Sequence, residues 1–321
     1  MCPAMIEFDR VSLQFPTASH PAVHQVSAHI KAGEVVVILG PSGCGKTTLL
    51  KLVNRLYEPT QGQIRLEGVP IGQINASPLR QKMGYVMQQS GLFPHMTVFD
   101  NIAVVPKLLG WPKAQIRRRI EELLTLVELP PSHYRHRYPA QLSGGQQQRV
   151  GLARALAGDP PILLMDEPFG AIDALTRASL QTEVLRLQAQ LQKTILFVSH
   201  DVEEALRLGD RIMVMNQGEV VQCDTPLALL THPATDFVHR LLGADDRVRQ
   251  LSLLSVARVM TPWNPGAVDG HTIPSLGPDQ SLRDALSLLL KTGTNALQVT
   301  QDGQAVGLIT LNQIRAYAQQ V

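Results

Sequence analysis

A predicted strand, a glycine-rich turn and a predicted helix follow one another without interruption near the start of the chain. The run VVVIL at Val35–Leu39 is continuously apolar, which is typical of a strand buried on both faces of a mainly parallel sheet. Residues 40–47, GPSGCGKT, fit the pattern G-x-x-x-x-G-K-[ST], and apolar residues recur at helical spacing directly after them. This order predicts an α/β fold.

We call residues 40–47 the phosphate loop, because their composition suits a bound phosphate group. Glycines let the backbone wrap an anion closely, N–H groups at the helix N-terminus add partial positive charge, and lysine adds a full charge. The Thr47 hydroxyl is expected to bind Mg²⁺. A plain glycine-rich turn is the alternative, which the position between strand and helix disfavours. The candidate nucleotide-binding residues here are Gly40, Pro41, Ser42, Gly43, Cys44, Gly45, Lys46, Thr47 and Thr48, and Lys46 is also a candidate catalytic residue.

Other apolar runs extend the predicted sheet. An alternating run from Ile6 to Phe15 predicts an edge strand. Between about residues 88 and 156 the strand signals vanish and helical periodicity replaces them, so we predict a helical subdomain inserted in the sheet. Further buried strands are predicted for ILLMD, TILFVS and RIMVMN, at residues 162–166, 194–199 and 211–216.

Polar residues stand where two of these strands end. Asp166 and Glu167 close the strand ILLMD, at the end of the sheet where ligands of open α/β folds bind. A nucleotide site needs an acidic partner for Mg²⁺, which suits Asp166, and a group that orients the attacking water, which suits Glu167. The alternative is that both carboxylates cap the following turn. His200 follows the strand TILFVS and is a candidate contact for the γ-phosphate or the water, although a histidine after a strand is more often structural.

A second glycine-containing turn precedes another helical pattern. In LSGGQQQR, residues 142–149, Ser143 is a typical N-cap. A helix cap does not explain Gly144 and Gly145, because glycine weakens a helix and is tolerated where backbone must approach something closely. We call residues 142–146 the LSGGQ loop, and we predict that it is a second anion-binding site.

Composition limits the classes of function. Charged residues make up 17% of the chain and the net charge is +2, so the concentrated basic surface of a nucleic-acid-binding protein is not expected. The densest basic cluster, residues 117–119, is interpreted as a solvated helix face. Three scattered cysteines favour a reducing compartment such as the cytoplasm. The longest apolar runs are far shorter than the ~20 residues of a membrane span.

The loop pattern, the acidic strand end, the histidine and above all LSGGQ occur here in the order typical of one family. Residues 5 to about 245 closely resemble the ATP-binding subunits of ABC transporters. The resemblance implies a P-loop NTPase fold of the ABC type, ATP and Mg²⁺ as cofactors, and a domain of residues 1–245 with a helical subdomain. It also implies a second copy of the chain as partner, paired head to tail, so that Ser143, Gly144, Gly145 and Gln146 of one copy and the phosphate loop of the other enclose each ATP.

The same resemblance assigns three further residues. Gln88 matches the glutamine that senses Mg²⁺ and couples to the membrane subunits, with Gln89 beside it as an alternative register. Phe15 is the aromatic residue expected to stack on adenine, with a place in the core as the alternative. Asp173 matches the loop that links the two sites across the dimer, with Ile172 where leucine is commoner.

Longer stretches narrow the expected function. DNIAVVPKLLGWPK, residues 100–113, and DFVHRLLGADDRVRQLSLLSV, residues 236–256, resemble importer ATPases that serve glycine betaine, choline, carnitine and related osmoprotectants. Integral membrane permease subunits are the implied partners, with a solute-binding protein acting through them, at the cytoplasmic face of the inner membrane. Importers of methionine or other amino acids, taurine or polyamines share these motifs. The second alternative is a soluble ABC-type ATPase acting on nucleic acid or ribosomes. Such an ATPase normally carries two nucleotide domains or a basic or coiled-coil insertion, and neither is recognisable in this sequence.

The end of the chain has a different character. Residues 256–321 predict a helix, two strands around the turn QDG and a second helix, with a domain boundary between residues 245 and 256. With VARVMTP before them, these elements resemble a CBS (cystathionine β-synthase) domain. Osmoprotectant ATPases usually carry two copies and only one is recognisable here, so pairing of one copy from each protomer and a dimerising role without ligand both remain open.

Overall fold

The computed structural model of the chain describes residues 4–88, 90–170, 172–263 and 273–320. It contains two compact units, Met1–Thr225 and Pro226–Val321. The strands of the first unit are β1 (Ala4–Leu13), β2 (Val23–Lys31), β3 (Val35–Leu39), β4 (Gln61–Leu66), β5 (Val69–Pro70), β6 (Met83–Val86), β7 (Ile162–Asp166), β8 (Thr194–Ser199), β9 (Arg211–Asn216) and β10 (Glu219–Asp224). Its helices are α1 (Lys46–Val53), α2 (Ala76–Gln81), α3 (Val98–Leu108), α4 (Lys113–Leu126), α5 (Pro131–Tyr134), α6 (Gly144–Leu156), α7 (Ala174–Leu191) and α8 (Val202–Leu208).

The larger sheet of the first unit carries the predicted site. Its six strands lie in the order β10-β9-β3-β8-β7-β6, and β3 pairs in parallel with both β8 and β9. All five residues of β3 are buried, as a strand covered on both faces requires. The four apolar runs predicted as buried strands are confirmed as β3, β7, β8 and β9. The carboxyl ends of β3, β7 and β8 bring the phosphate loop, Asp166, Glu167 and His200 to one end of the sheet.

The smaller sheet corrects one prediction. Its strands lie in the order β2-β1-β4-β5, and β1 pairs on both sides, antiparallel to β2 and to β4. The run from Ile6 to Phe15 is therefore an internal strand, which ends at Leu13, and the edge assignment was wrong. Alternation of apolar and polar residues indicates that one face of a strand is buried. It does not indicate whether the strand pairs with a neighbour on one side or on both.

The helical subdomain lies between β6 and β7, where the described residues form α3 to α6 and no strand. Helix α4 buries Ile116, Ile120 and Leu123 on one stripe, which matches the spacing of an amphipathic helix. In the basic cluster at residues 117–119, Arg117 and Arg118 are exposed as predicted. The third member differs, because its guanidinium group is partly buried and donates to the carbonyl oxygen of Leu156 at 3.1 Å.

The second unit is a small α/β unit with helices before its sheet. Its sheet order is β11-β14-β13-β12, and its described elements are α9 (Pro226–Thr231), α10 (Asp236–Leu242), α11 (Arg247–Ser252), β11 (Thr261–Pro262), β12 (Ser275–Leu276), α12 (Leu282–Thr292), β13 (Ala296–Gln301), β14 (Gln304–Thr310) and α13 (Leu311–Gln320). The helix, two strands and helix predicted for the tail are confirmed as α12, β13, β14 and α13.

The division between the units falls earlier than the sequence predicts. Leu251 and Leu254 are buried in the same apolar cluster as Leu297, Val299 and Ile309, so α11 and the residues after it share the core of the second unit. Short apolar helices do not reveal from sequence which core they join. The family ranges 1–245 and 256–321 therefore stay a prediction.

Candidate nucleotide-binding site

The phosphate loop connects the carboxyl end of β3 to α1, and its glycines are fixed by close packing. Gly45 is the N-cap of α1 and has a left-handed backbone with φ of 103°. A Cβ atom at Gly45 would collide with the carbonyl oxygen of Ala22, and a Cβ atom at Gly40 would collide with that of Met215. The loop therefore packs so closely against the backbone of its own chain that only glycine fits at these two positions.

Lys46 supplies the positive charge of the loop from a buried position. Its side chain is 5% exposed, and Nζ donates to the carbonyl oxygens of Gly40 at 2.8 Å and Pro41 at 2.9 Å. Helix α1 begins at this residue, so the lysine charge and the partial charge of the helix N-terminus act at one place. Cys44 lies beside it, and burial raises the pKa of the Cys44 thiol.

Thr47 and Asp166 meet at the end of β7. The Thr47 hydroxyl donates to Oδ1 of Asp166 at 2.8 Å, which brings two hard oxygen ligands together, and such ligands suit Mg²⁺. The hydroxyl of Tyr85 donates to Oδ2 of Asp166 at 3.5 Å. Burial and, after it, the negative charge of Asp166 raise the pKa of Tyr85, so the hydroxyl keeps its proton and remains a donor. The sequence did not single out Tyr85, because a tyrosine in an apolar strand is usually a core residue.

Glu167 lies at the centre of a second cluster. Its φ of 45° is uncommon for a residue with a side chain, and its backbone N–H donates to the carbonyl oxygen of Val198 at 3.1 Å. The side-chain Oε2 accepts a hydrogen bond from Nε2 of Gln88 at 3.2 Å and lies 3.2 Å from Nδ1 of His200. The structure therefore brings two predicted site residues, Gln88 and His200, to one carboxylate oxygen of a third.

Gln88 has a different neighbour from the one expected of a metal-binding residue. The sequence grouped it with Thr47 and Asp166, whereas its side-chain amide contacts Glu167. A role for Gln88 in binding Mg²⁺ stays a prediction. Gln89, the alternative register, lies outside the described residues.

The LSGGQ loop begins α6 with a capping box. Oγ of Ser143 accepts from the backbone N–H of Gln146 at 3.3 Å, and Oε1 of Gln146 accepts from the N–H of Ser143 at 3.1 Å. Ser143 and Gly144 are exposed. The serine is therefore an N-cap as predicted. The amide oxygen of Gln146 is engaged within the loop, and its Nε2 donates to the hydroxyl of Tyr134 at 3.2 Å.

The two glycines of this loop have different structural reasons. A Cβ atom at Gly145 would collide with the methyl group of Thr176, whereas within the described chain nothing lies within 4 Å of a Cβ atom at Gly144. Close packing inside one chain thus accounts for Gly145, which corrects the inference that both glycines serve an approaching ligand. Only Gly144 is left open to a group from outside.

Asp173 and Phe15 occupy the borders of the site. Asp173 is exposed and caps α7, where Oδ1 accepts from the N–H of Thr176 at 3.0 Å, while Ile172 is buried. Phe15 is half-buried and meets Tyr57 edge to face, with ring centroids 5.3 Å apart. It also packs against the main apolar core, so both hypotheses for Phe15, adenine stacking and a core position, stay open.

A glycine-rich loop follows one parallel strand, and acidic residues terminate another at the same end of the sheet. This combination is typical of a nucleotide-binding α/β protein. The chain matches the model of the ABC transporter family over residues 23–170 and that of the CBS domain over residues 256–319. It is 44% identical, over 97% of its length, to the osmoprotectant import ATP-binding protein OsmV of Salmonella typhimurium, of which it covers 80%. It is also 44% identical, over 92% of its length, to the glycine betaine/carnitine/choline transport ATP-binding protein OpuCA of Bacillus subtilis, of which it covers 75%.

Solved structures show the same fold. The dimeric post-hydrolysis structure of the ATP-binding cassette MJ0796, bound to ADP and Pi, is 34% identical, with a TM-score of 0.62 over 69% of this chain and 99% of that one. The chain therefore belongs to the family of ABC transporter ATP-binding proteins, and it binds and hydrolyses ATP. Throughout the four described ranges, every helix is too short or too polar to span a bilayer.

Proposed function

We propose that this ATPase is the energy-coupling subunit of an importer for quaternary ammonium osmoprotectants such as glycine betaine, choline or carnitine. The main support is its similarity, along 92–97% of its length, to relatives that are named for transport of these solutes. The similarity includes the tail, which matches a CBS domain. Supporting geometry comes from the site, where Lys46, Asp166 and Glu167 lie in positions suited to phosphoryl transfer.

The roles of the residues follow from their contacts. Lys46 and the phosphate loop bind the triphosphate, and Thr47 and Asp166 hold Mg²⁺, with Gln88 as a further ligand. Bound Mg²⁺ neutralises charge on the phosphate oxygens. Glu167 orients the attacking water and accepts its proton. His200 holds the Glu167 carboxylate through the contact between Nδ1 and Oε2 at 3.2 Å.

The LSGGQ loop supports the proposal that a second copy of the chain completes each site. Ser143 and Gly144 are exposed at the start of a thirteen-residue helix, where backbone N–H groups favour an anion. The loop contains no charged side chain, so it adds to a phosphate already held elsewhere better than it captures one alone. The solved cassette with 34% identity is dimeric. In our proposal, Ser143, Gly144, Gln146 and Asp173 act across the dimer, whereas Gly145 serves the packing against Thr176.

A groove beside α3 supports a place for the permease. It encloses about 680 Å³ and is lined by residues of α2, α3, β6 and α6, among them Leu108, Leu109 and Arg154. Leu108 is 78% exposed, and Leu109 and Val105 line the same groove, so the groove offers apolar surface to a partner. We assign this groove to an integral membrane subunit, with a solute-binding protein acting through it. In our proposal, the ATPase lies at the cytoplasmic face of the membrane.

The hydrolytic role is tested by Glu167→Gln. The amide keeps the shape of the side chain but cannot accept a proton, so turnover should fall by about 10²–10⁴-fold while ATP affinity is retained. Steady-state phosphate release and equilibrium ATP binding measure the two quantities. Turnover at the wild-type rate would refute the role of Glu167.

The cargo is tested by uptake in cells that lack the gene and carry either the wild-type or the Glu167→Gln chain. Uptake of glycine betaine, choline or carnitine should be restored by the wild-type chain alone. A parallel panel contains methionine, taurine and a polyamine. Restoration of uptake confined to that panel would contradict the proposed cargo and would leave the importer assignment intact.

A further inference from the structure

Gln88, Ser90 and Gly91, which follow β6, are held in place by helix α6, which begins at the LSGGQ loop. Arg154 donates to the carbonyl oxygen of Gly91 at 2.7 Å and to that of Ser90 at 3.0 Å. The Ser90 hydroxyl donates to Oε1 of Gln147 at 3.1 Å. Arg154 and Gln147 therefore attach Ser90 and Gly91 to α6. The first turn of this helix carries the proposed contact with the partner's ATP.

Gln148 on the same helix holds Gln88. Its side chain is 7% exposed, and Nε2 donates to the backbone carbonyl oxygen of Gln88 at 2.7 Å. Among the residues that the structure describes, Oε1 of Gln148 has no hydrogen-bond partner. Burying an amide is unfavourable unless it is hydrogen-bonded, so the bond to Gln88 is the one interaction that explains a glutamine rather than an apolar residue here.

The other end of the contact reaches the site. The backbone of Gln88 is fixed by Gln148, and its side chain donates from Nε2 to Oε2 of Glu167 at 3.2 Å. An exposed side chain has many rotamers, and a fixed backbone limits the directions in which the amide points. The sequence separation of 60 between Gln148 and Gln88 means that α6 imposes this restraint across the fold.

We propose that Gln148 is a positioning residue, which fixes the backbone of Gln88 and so directs the Gln88 amide to Glu167. This rests on the proposed role of Glu167 in orienting water. Helix α6 begins next to Ser143, so a single rigid element then carries a contact to the partner's ATP and a restraint on the glutamine of its own site.

The test is Gln148→Met in the full chain, which keeps the side-chain length and removes the donor. Losing this hydrogen bond should lower kcat about fivefold and leave ATP affinity within about twofold. Gln188→Met is the matched control, because Nε2 of Gln188 also donates to a backbone carbonyl oxygen at 2.7 Å, that of Gly33, and Gln188 has no contact with Glu167. An equal loss of kcat in both variants would overturn the proposal.

A double-mutant cycle with Gln88→Ala separates positioning from general loss of stability. If Gln148 acts through the Gln88 side chain, Gln148→Met should have no further effect on kcat in the Gln88→Ala background. Additive losses of kcat would overturn the proposal. A wild-type kcat in Gln88→Ala, with a reduced kcat in Glu167→Gln, would overturn it as well. Wild-type turnover in Glu167→Gln is the separate outcome that refutes the proposed role of Glu167, on which this inference rests.

Thermal unfolding of each variant shows whether the chain remains folded. If Gln148→Met does not fold, Gln148→Asn takes its place, because it keeps the amide and withdraws the donor by one methylene. The same fivefold loss of kcat and the same lack of additivity with Gln88→Ala are expected. Wild-type kcat in the folded Asn variant would contradict the proposal.

Discussion

The phosphate loop and the LSGGQ loop both place glycines at the N-terminus of a helix, but they are built differently. In the phosphate loop a buried lysine is fixed against the loop carbonyl groups, and glycines fit where a Cβ atom would strike neighbouring backbone. In the LSGGQ loop a serine and a glycine are exposed, the cap is closed by a glutamine amide, and the sequence contains no charge. One loop carries its own cation, and the other carries only backbone donors and a hydroxyl.

The difference indicates which loop acts first. A buried ammonium beside a helix N-terminus attracts a triphosphate by itself, because charge-assisted hydrogen bonds are about twice as strong as neutral ones. Backbone donors alone bind an anion weakly in water, and they contribute more where water is excluded. In our proposal, the LSGGQ loop therefore gains its function when another copy of the chain brings a bound nucleotide to it.

The comparison is tested most strongly at Lys46. Lys46→Ala should lower ATP affinity about a hundredfold, because it removes the charged donor of the phosphate loop. Equilibrium binding of ATP to the full chain measures this affinity. Lys113→Ala is the control for loss of one positive charge, because Lys113 is exposed at the start of α4. Affinity within about twofold of wild type would contradict the distinction between the two loops.

Gly144→Ala tests the open side of the LSGGQ loop. A methyl group meets nothing within 4 Å in the described chain, so the variant should fold normally and bind ATP as wild type does. Turnover should nevertheless fall about tenfold, because the methyl group obstructs the approach of the partner's nucleotide, and each tenfold corresponds to about 1.4 kcal/mol. Wild-type turnover would show that this face of the loop is not used.

Gly145→Ala tests the closed side. The added methyl group meets the stiff side chain of Thr176, so we expect the free energy of unfolding to fall by about 1 kcal/mol, at the low end for overpacking. Urea unfolding measures it. Thr176→Ser removes the opposing methyl group and should restore the stability of the double variant. A loss of turnover without a loss of stability would instead favour a ligand contact at Gly145.

Thiol labelling gives the smallest effect. Burial raises the pKa of Cys44, so little of the reactive thiolate is present at neutral pH, and alkylation should be slow and should accelerate as the pH rises above the ordinary value of 9.0. A cysteine introduced by Ser143→Cys is exposed and should react several times faster. Peptide mass spectrometry follows both sites, and equal rates at neutral pH would contradict the difference in burial.

The elements that the sequence predicts well are those whose burial leaves a simple pattern. A strand covered on both faces is a continuous apolar run, so β3, β7, β8 and β9 follow from the sequence. The position of β1 inside its sheet depends on β2 and β4, which the alternation within β1 does not reveal.

The site follows the same rule. Residues at strand ends and in glycine-rich turns are recognisable by their order, so Lys46, Asp166 and Glu167 could be named in advance. The contacts of Tyr85 with Asp166 and of Gln148 with Gln88 join residues 81 and 60 positions apart, and no periodicity marks such a pair. The reason for Gly145 is likewise a contact with a distant helix.

The central claim is that each ATP pocket is completed by a second copy of the chain. Light scattering on Glu167→Gln saturated with Mg-ATP measures this directly, because hydrolysis is blocked and the closed state accumulates. We expect a mass twice the 35.2 kDa of one chain, reduced to that of one chain by Ser143→Ala combined with Gly144→Ala. A single-chain mass at saturating Mg-ATP, together with wild-type turnover in Ser143→Ala, would contradict the account.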